Sequence, residues 1–388
     1  MPAADRTSEV LVIGGGPAGA AFALALARAG RRVTLVERHD GPADKVCGAF
    51  VSGEAALHLG DLGIDLATLG AVPINGVRIA RGRRLASAAL PFRAASLSRR
   101  ALDEALLRAA AVAGVELRRG VRATALVRAG AGWDLWLGGG SVRSAPAAVL
   151  ATGKHDLAGW KRPPGRHAGL IGFQQHWRLA SSEAAALAGH VELALFPGGY
   201  AGIEPVEGGL ANLCLVVGRD AFAAAGGRWI SLLAALQEAA PHLGRRLAGA
   251  EAVDLRPLSV WPIPYGHLAR PDADQPWRLG DQAAVVPSFA GDGIAVALHS
   301  ARLAAAAFLG GAPAASFQAE LAATLGGRLR RATWLSRVMV RPAGQRLAAA
   351  ALALAPGLAA ATARGTRIPA AAVTAARAAA ETSAPAPR

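Results

Sequence analysis

The chain has 388 residues, of which 53% are hydrophobic and 18% are charged. This composition predicts a folded protein of roughly two or three domains and excludes an intrinsically disordered chain. The formal net charge of +15 comes from arginines scattered through Ala- and Gly-rich sequence. Because no lysine-rich tail or aromatic-interleaved basic stripe accompanies them, we expect no nucleic-acid partner, whereas an anionic substrate or membrane surface stays open.

The first segment, residues 10–37, predicts a strand, a glycine turn, a helix and a second strand. Its apolar run at residues 10–13 is typical of a strand buried on both faces. The glycine pattern Gly14-x-Gly16-x-x-Gly19 follows at once, and the second strand ends in Glu37. Because the strands, the helix and the acid are all in register with the glycines, the segment predicts a dinucleotide-binding turn.

Each residue of this turn has a physical role in holding an ADP-containing cofactor. Gly14 makes the tight turn, Gly16 lets the backbone approach a pyrophosphate, and Gly19 permits close contact between helix and strand. The helix N-terminus offers unpaired N–H groups to phosphates, and Glu37 accepts hydrogen bonds from a ribose. The contacts expected here are Gly14, Gly16, Pro17, Ala18, Gly19, Glu37 and Arg38.

The next part of the chain alternates strands with one amphipathic helix. Residues 72–92 predict strands with turns at Asn75-Gly76 and Arg81-Gly82. Ser98 is a suitable N-cap for the following helix, which Gly114 ends.

Beyond residue 154 the pattern changes to a period of two. Alternating runs at residues 170–177, 190–196 and 210–217 predict strands, and one helix is predicted near residues 229–240. These elements predict a mostly antiparallel sheet inserted into the nucleotide-binding domain, where we expect the substrate pocket.

A second cofactor segment lies at residues 277–294. A short strand delivers Gly280-Asp281, whose carboxylate can bind a polyol chain, and a glycine-rich turn then enters a helix. The N-terminus of that helix can face a ring that becomes anionic on reduction. NAD does not need this second element, whereas FAD does, so the two segments together predict FAD. The contacts expected here are Gly280, Asp281, Pro287, Gly291, Asp292, Gly293 and Ile294.

Together these segments resemble the FAD-dependent oxidoreductases of the p-hydroxybenzoate hydroxylase-like superfamily, in particular the geranylgeranyl reductase-like branch. Lys45-Val46-Cys47-Gly48 is similar to that branch's Lys-x-Cys-Gly segment beside the flavin, and Arg99 is similar to the family's flavin-contacting arginine. The resemblance implies that Cys47 and Arg99 contact FAD, and that NAD(P)H is a candidate external electron donor.

The chain departs from the family pattern at one segment and also lacks a motif of the flavin halogenases. At residues 151–157 the family has Asp-Gly followed by Ser and Arg, linked to FAD and NAD(P)H contacts, whereas this chain has Gly153-Lys154-His155-Asp156. The Trp-x-Trp-x-Ile-Pro pattern of the flavin halogenases is matched only in part, by residues 261–264, which lie elsewhere along the chain.

The expected fold class is α/β, with a Rossmann-type (glutathione reductase-like) FAD-binding domain, an inserted β-sheet substrate domain and a helical C-terminal region. The predicted FAD-binding domain comprises residues 1–75, 99–153 and 266–312, the substrate domain residues 76–98 and 154–265, and the C-terminal region residues 313–388, with a disordered Pro/Ala tail.

The flavin carries the redox chemistry, so we expect no catalytic triad. Cys47 is either a proton donor beside the flavin or a small buried hydrophobe. His176, His155 and His267 are acid–base candidates or structural hydrogen-bonders. Gln174 and His176 share one face of a predicted strand and are expected to contact substrate. Tyr200 is either a substrate contact or a packing residue.

The cysteine content and the chain's apolar and basic segments give expectations about metal binding and cellular location. The two cysteines, Cys47 and Cys214, have no metal-ligand spacing, so no metal is expected. The polar start, residues 1–9, is unlike a signal peptide and favours the cytoplasm. Residues 347–363 are too weakly apolar to span a membrane and predict a buried or interfacial helix pair. The basic stretch 328–341 is either a solvated helix or a peripheral contact with the inner face of an anionic membrane.

Three functions are compatible with these features. The first is reduction of a carbon–carbon double bond in a prenyl or polyketide-type, hydrophobic small molecule by reduced flavin. The second is a monooxygenase that hydroxylates an aromatic or quinone-like ring through a C4a-hydroperoxyflavin. The third is a flavin-bearing binding protein. The sequence predicts neither the substrate nor the oligomeric state.

Overall fold

The computed structural model describes residues 8–347 and 365–382 of the chain. Its strands are β1 (Val10–Ile13), β2 (Val33–Val36), β3 (Phe50–Val51), β4 (Val72–Arg81), β5 (Arg84–Ser96), β6 (Glu116–Arg118), β7 (Ala123–Ala129), β8 (Gly132–Leu137), β9 (Val142–Ala145), β10 (Ala147–Leu150), β11 (Leu170–Arg178), β12 (His190–Phe196), β13 (Gly199–Val206), β14 (Leu210–Gly218), β15 (Glu251–Ala252), β16 (Leu258–Val260) and β17 (Trp277–Arg278). Its helices are α1 (Pro17–Arg28), α2 (Gly53–Asp61), α3 (Arg99–Val112), α4 (Ser181–Leu187), α5 (Arg219–Ala224), α6 (Trp229–Ala239), α7 (Pro241–Arg246), α8 (Gly293–Leu309), α9 (Ala314–Met339) and α10 (Ala370–Thr382).

A parallel sheet with the strand order β17-β10-β1-β2-β6 forms the nucleotide-binding core. Val10 and Val12 of β1 pack with helices α1, α3 and α8 on one face. Leu11 and Ile13 pack on the other face against a small sheet of β7, β8 and β9. Both faces are therefore covered, which is why β1 is a continuous apolar run and all four residues of β2, including Thr34, are buried.

A larger sheet has the order β15-β11-β14-β13-β12-β4-β5-β3, with β16 also paired to β11. Its pairings are antiparallel except that between β4 and β12. One face packs apolar side chains such as Phe173, Leu213 and Ala201 with helices α6 and α7. The α/β class, the Rossmann-type core and the mostly antiparallel second sheet are thus confirmed.

One predicted turn is wrong. Asn75-Gly76 lies inside β4 as a register shift against β5, and the strand continues to Arg81. The N–H groups of Asn75 and Gly76 both donate to the Gly189 carbonyl, so β4 keeps pairing with β12. The predicted division of the chain between residues 75 and 76 therefore falls within a strand. The turn at Arg81-Gly82 is present, and Ser98 caps α3 by accepting from the Ala101 N–H.

The C-terminal region is helical where it is described. Helix α9 packs on α8, and α10 packs on the same helix after the undescribed segment. The predicted helix pair at residues 347–363 and the predicted Pro/Ala tail fall outside the described residues, apart from Leu347 and the end of α10. Among residues 8–347 and 365–382, no helix has the length and apolarity to cross a membrane.

Candidate active site

The glycine turn after β1 is closely packed. Gly14 has a φ of +108°, and a Cβ at this position would lie 2.4 Å from the Ala151 carbonyl oxygen at the end of β10. A Cβ on Gly19 would lie 2.0 Å from the Gly14 carbonyl oxygen. Both positions therefore require glycine, for the left-handed conformation in one case and for the close approach of α1 in the other.

Glu37 closes one end of the site. Its carboxylate is buried and accepts from the Gly15 N–H at 2.7 Å and from the His39 N–H at 3.1 Å. Lys45 Nζ lies 3.9 Å from the second of these carboxylate oxygens. These contacts orient the acid that the sequence predicts as the ribose acceptor.

A cavity of about 510 Å³ begins at this turn, a size typical of small-molecule and cofactor sites. Its wall contains twelve of the residues predicted to contact cofactor: Gly14, Gly16, Pro17, Ala18, Glu37, Arg38, Cys47, Arg99, Gly280, Asp281, Gly293 and Ile294. The two predicted segments, far apart in sequence, thus meet around one cavity. Gly19 lies behind this wall, against the backbone of Gly14.

Arg99 belongs to a charged network at the start of α3. Its guanidinium binds both carboxylate oxygens of Asp103, each at 2.8 Å, and Lys45 Nζ donates to the same carboxylate at 3.1 Å. Burial disfavours the cation, but the paired Asp103 more than offsets this and raises the pKa of Arg99. The spacing of four residues from Arg99 to Asp103 is a helical pairing signal in the sequence, whereas nothing in the sequence indicates that Lys45 joins this pair.

Lys154 is a second residue that sequence reasoning missed. Its Nζ lies 3.3 Å from Asp281 Oδ2, and both residues line the cavity. Burial lowers the pKa of Lys154, but the Asp281 carboxylate raises it more, so the lysine stays charged. Gln282 holds the lysine's loop by donating to the carbonyls of Gly153 and His155. The chain's departure from the family pattern therefore places a cation at the cofactor site.

The turn into α8 contains a buried acid, Asp292, whose carboxylate lacks hydrogen-bond partners among the described residues. Neither carboxylate oxygen of Asp292 has a hydrogen bond among the described residues, and Arg367 lies 3.8 Å away. Burial raises the pKa of Asp292 to about 7, and Arg367 only partly counteracts this. Gly291 has a φ of +71°, and a Cβ there would meet the Phe50 ring. Pro287 precedes this turn.

The predicted substrate residues lie on the face of the large sheet away from its helices. Gln174 and His176 are buried neighbours, with the amide nitrogen of Gln174 3.2 Å from His176 Nε2 and 2.8 Å from Asn212 Oδ1. Asn212 in turn donates to the Cys47 carbonyl at 3.1 Å. The structure therefore connects these sheet residues to the Cys47 segment, although none of the three side chains lines the cavity.

Tyr200, His155 and His267 lie at three separate places around the site. The phenol of Tyr200 shares Ser288 Oγ with the phenol of Tyr265, each at 2.8 Å, so both tyrosines support the turn before α8. His155 lines the cavity. His267 is buried against the Gln282 carbonyl, and burial lowers its pKa to about 4.

These features fit FAD. The N-terminus of α1 has no side-chain cap, so its N–H groups are free for phosphates. Closely packed glycines, a ribose-binding acid and a polyol-binding Asp281 border one cavity of suitable size. Among the described residues, no group of three or more His, Cys, Asp or Glu side chains could hold a metal ion.

Comparison with known families agrees with this geometry. Residues 7–134 match the family described as "FAD binding domain". The chain therefore carries an FAD-binding domain and is an FAD-dependent oxidoreductase. The predicted cofactor, FAD, is thereby confirmed.

The chain is also similar in sequence to two curated menaquinone reductases. It is 27% identical over 317 residues to the menaquinone reductase of Mycobacterium tuberculosis, covering 78% of this chain and 76% of that protein. The menaquinone reductase of Mycolicibacterium smegmatis gives 27% over 321 residues, with the same coverage of 78% and 76%.

Among solved structures, a flavin-dependent brominase superposes with a TM-score of 0.75 at 18% identity, covering 97% of this chain and 98% of that one. A flavoprotein/dehydrogenase from Cytophaga hutchinsonii gives a TM-score of 0.71 at 18% identity, covering 96% and 99%. At this level of identity the two structures establish the shared fold.

Proposed function

We propose that this flavoprotein reduces a carbon–carbon double bond in a hydrophobic prenyl or polyketide-type molecule. The observation that carries the proposal is the position of Cys47-Gly48, which joins the FAD cavity to the polar face of the large sheet. The curated relatives support it because they are named menaquinone reductases. Menaquinone is a quinone with a prenyl tail, so a prenylated quinone is the first substrate class to test.

Bound and reduced FAD would supply the hydride. The chain's own contribution is to bind and orient: the glycine turn and the α1 N-terminus hold phosphates, Glu37 holds a ribose, and Asp281 holds the polyol chain. Strand β16 of the large sheet borders the cavity through Leu258, Ser259 and Val260 and would limit the access of water to bound flavin.

The test is anaerobic turnover by the full-length holoenzyme after reduction with dithionite. We offer a menaquinone and geranylgeranyl diphosphate in detergent micelles and follow products by mass spectrometry, with the FAD-free protein as control. The expected product is heavier than its substrate by two hydrogen atoms for each bond reduced. Oxygen consumption coupled to a hydroxylated product, with no anaerobic product, would instead identify a monooxygenase. A flavin-binding protein without activity would give neither.

NAD(P)H is the electron donor we propose to test first. Arg38 and Arg122 also line the cavity, and these cations favour an anionic donor. Anaerobic mixing of holoenzyme with NADPH or NADH should bleach the flavin absorbance within the turnover time. Bleaching by dithionite but by neither nucleotide would contradict this assignment.

We also propose peripheral contact with an anionic membrane through α9. Arg330, Arg331 and Arg337 are exposed on α9, and Arg341 is exposed just beyond its end. They surround Trp334, which is 65% exposed. Cations flanking an exposed tryptophan suit the headgroup region of a bilayer. Sedimentation with phosphatidylglycerol vesicles should exceed that with phosphatidylcholine vesicles and fall in Trp334→Ala. Equal sedimentation with both lipids would contradict it.

A further inference from the structure

The large sheet carries a buried acid that the cofactor site does not use. Glu204 lies on β13, is 3% exposed, and its Oε2 has no hydrogen-bond partner among the described residues. A buried carboxyl group without an ion pair is costly as an anion and is far more stable as the neutral acid. Such a group therefore retains its proton in the folded protein.

Glu204 does not itself line the cofactor cavity but lies against the Cys47-Gly48 loop that borders it. It is paired across the sheet with Asn212, whose amide donates to the Cys47 carbonyl at 3.1 Å. Its Oε1 lies 3.8 Å from where a Cβ of Gly48 would be, so the absence of a side chain at Gly48 leaves this acid facing the Cys47-Gly48 backbone. Cys47 itself lines the cavity.

The surroundings keep the proton on Glu204. Burial raises the pKa of Glu204 well above its ordinary value, and the Asn212 hydrogen bond counteracts this only weakly. Cys214 on β14 interacts electrostatically with it, and His176 on β11 is reached through Asn212 and Gln174. His176 in turn lies 4.0 Å from Asp44 and 3.8 Å from Asp254. No lysine or arginine in the described parts of the chain forms an ion pair with it.

We propose that Glu204 is the general acid of the reduction, an assignment that rests on the proposed function. One carbon of the double bond receives the hydride from reduced FAD, and the other receives the Glu204 proton. The substrate gains two electrons and two hydrogens, FAD becomes oxidised, and the carboxylate is protonated again from water between turnovers. Cys47 then positions the loop between acid and cofactor.

Glu204→Gln tests the assignment because the amide has nearly the same shape as the acid but cannot donate a proton to carbon. We expect turnover of the menaquinone probe to fall by about 100-fold or more, with FAD affinity unchanged. Wild-type turnover should decline as pH rises through the pKa of Glu204, and the variant should lose this decline. Cys47→Ala should keep it.

The matched control is Glu192→Gln on β12. Glu192 is also buried in the large sheet, but its carboxylate is engaged by Arg246, Arg78 and His242 on the helix-covered side. This change should lower stability while leaving the pH profile of turnover in place. A Glu204→Gln enzyme with wild-type turnover and pH profile would overturn the proposal.

Infrared spectroscopy of the holoenzyme gives a readout that needs no turnover. We expect a carbonyl stretch of a protonated carboxyl group at neutral pH that Glu204→Gln removes and Glu192→Gln retains. Absence of that band would overturn the proposal even in an active enzyme. If neither substrate probe is reduced, the proposed function fails, while the band still shows whether Glu204 stores a proton.

Discussion

The two halves of the site are built by different means. The cofactor half, at the parallel sheet, depends on close contacts between backbone segments, as at Gly14 and Gly19. On the large sheet, the other half depends on side chains that gather from separate strands, as do Gln174, Asn212 and Glu204. A short motif encodes the first arrangement, whereas the second exists only once the sheet has formed.

A methyl group added to each half should show this difference most strongly. In Gly19→Ala the new Cβ would lie 2.0 Å from the Gly14 carbonyl oxygen, whereas in Gly202→Ala on β13 it would lie 3.4 Å from a flexible Leu193 methyl. We expect Gly19→Ala to weaken FAD binding by about 100-fold or more through displacement of α1, and Gly202→Ala to leave it unchanged. Fluorescence titration of the apoprotein with FAD measures both. Comparable affinities in the two variants would remove the distinction.

The halves should also respond to acid over different pH ranges. His58 in α2 and His299 in α8 pack with ring centroids 5.5 Å apart, and no ring nitrogen of either has a partner in the described structure. Burial, with the charge of His299 and Arg302, lowers the pKa of His58 to about 3, and burial with Arg302 lowers that of His299 to about 4.

Below about pH 6.5 these two histidines bind protons in the unfolded chain but not in the folded chain. The free energy of unfolding therefore falls as pH falls through this range. We expect these two histidines to account for a loss of about 4 kcal/mol between pH 7 and pH 5, measured by urea unfolding, and the double variant His58→Leu, His299→Leu should lack that contribution while the contribution of His267 remains. On the large sheet, partners such as Arg246 lower the pKa of Glu192, so its contribution persists until a more acidic pH. Glu192→Gln should thus keep the loss between pH 7 and pH 5. A pH-independent wild type would contradict this division.

The smallest effect is expected where the loop after β10 meets the second cofactor segment. Lys154→Met removes the cation 3.3 Å from Asp281, and Lys161→Met removes an exposed lysine of the same region. We expect about a tenfold loss of FAD affinity in the first variant and none in the second, because the pair is only partly exposed to solvent. The loss should shrink at high salt. An equal response of both variants would show that only net charge matters.

The sequence by itself determined the cofactor half: strand, glycine turn, helix and terminal acid are local in the chain, so their spacing carries the geometry from Gly14 to Glu37. It also predicted Asp281 and the turn into α8, since each follows from a short strand or a helix start. The tertiary structure alone decided the pairing of Lys154 with Asp281 and the isolation of Glu204 beside Gly48. These depend on strand register and on contacts between segments far apart in sequence, because burial and the partners available to a charge are set only when the chain is packed.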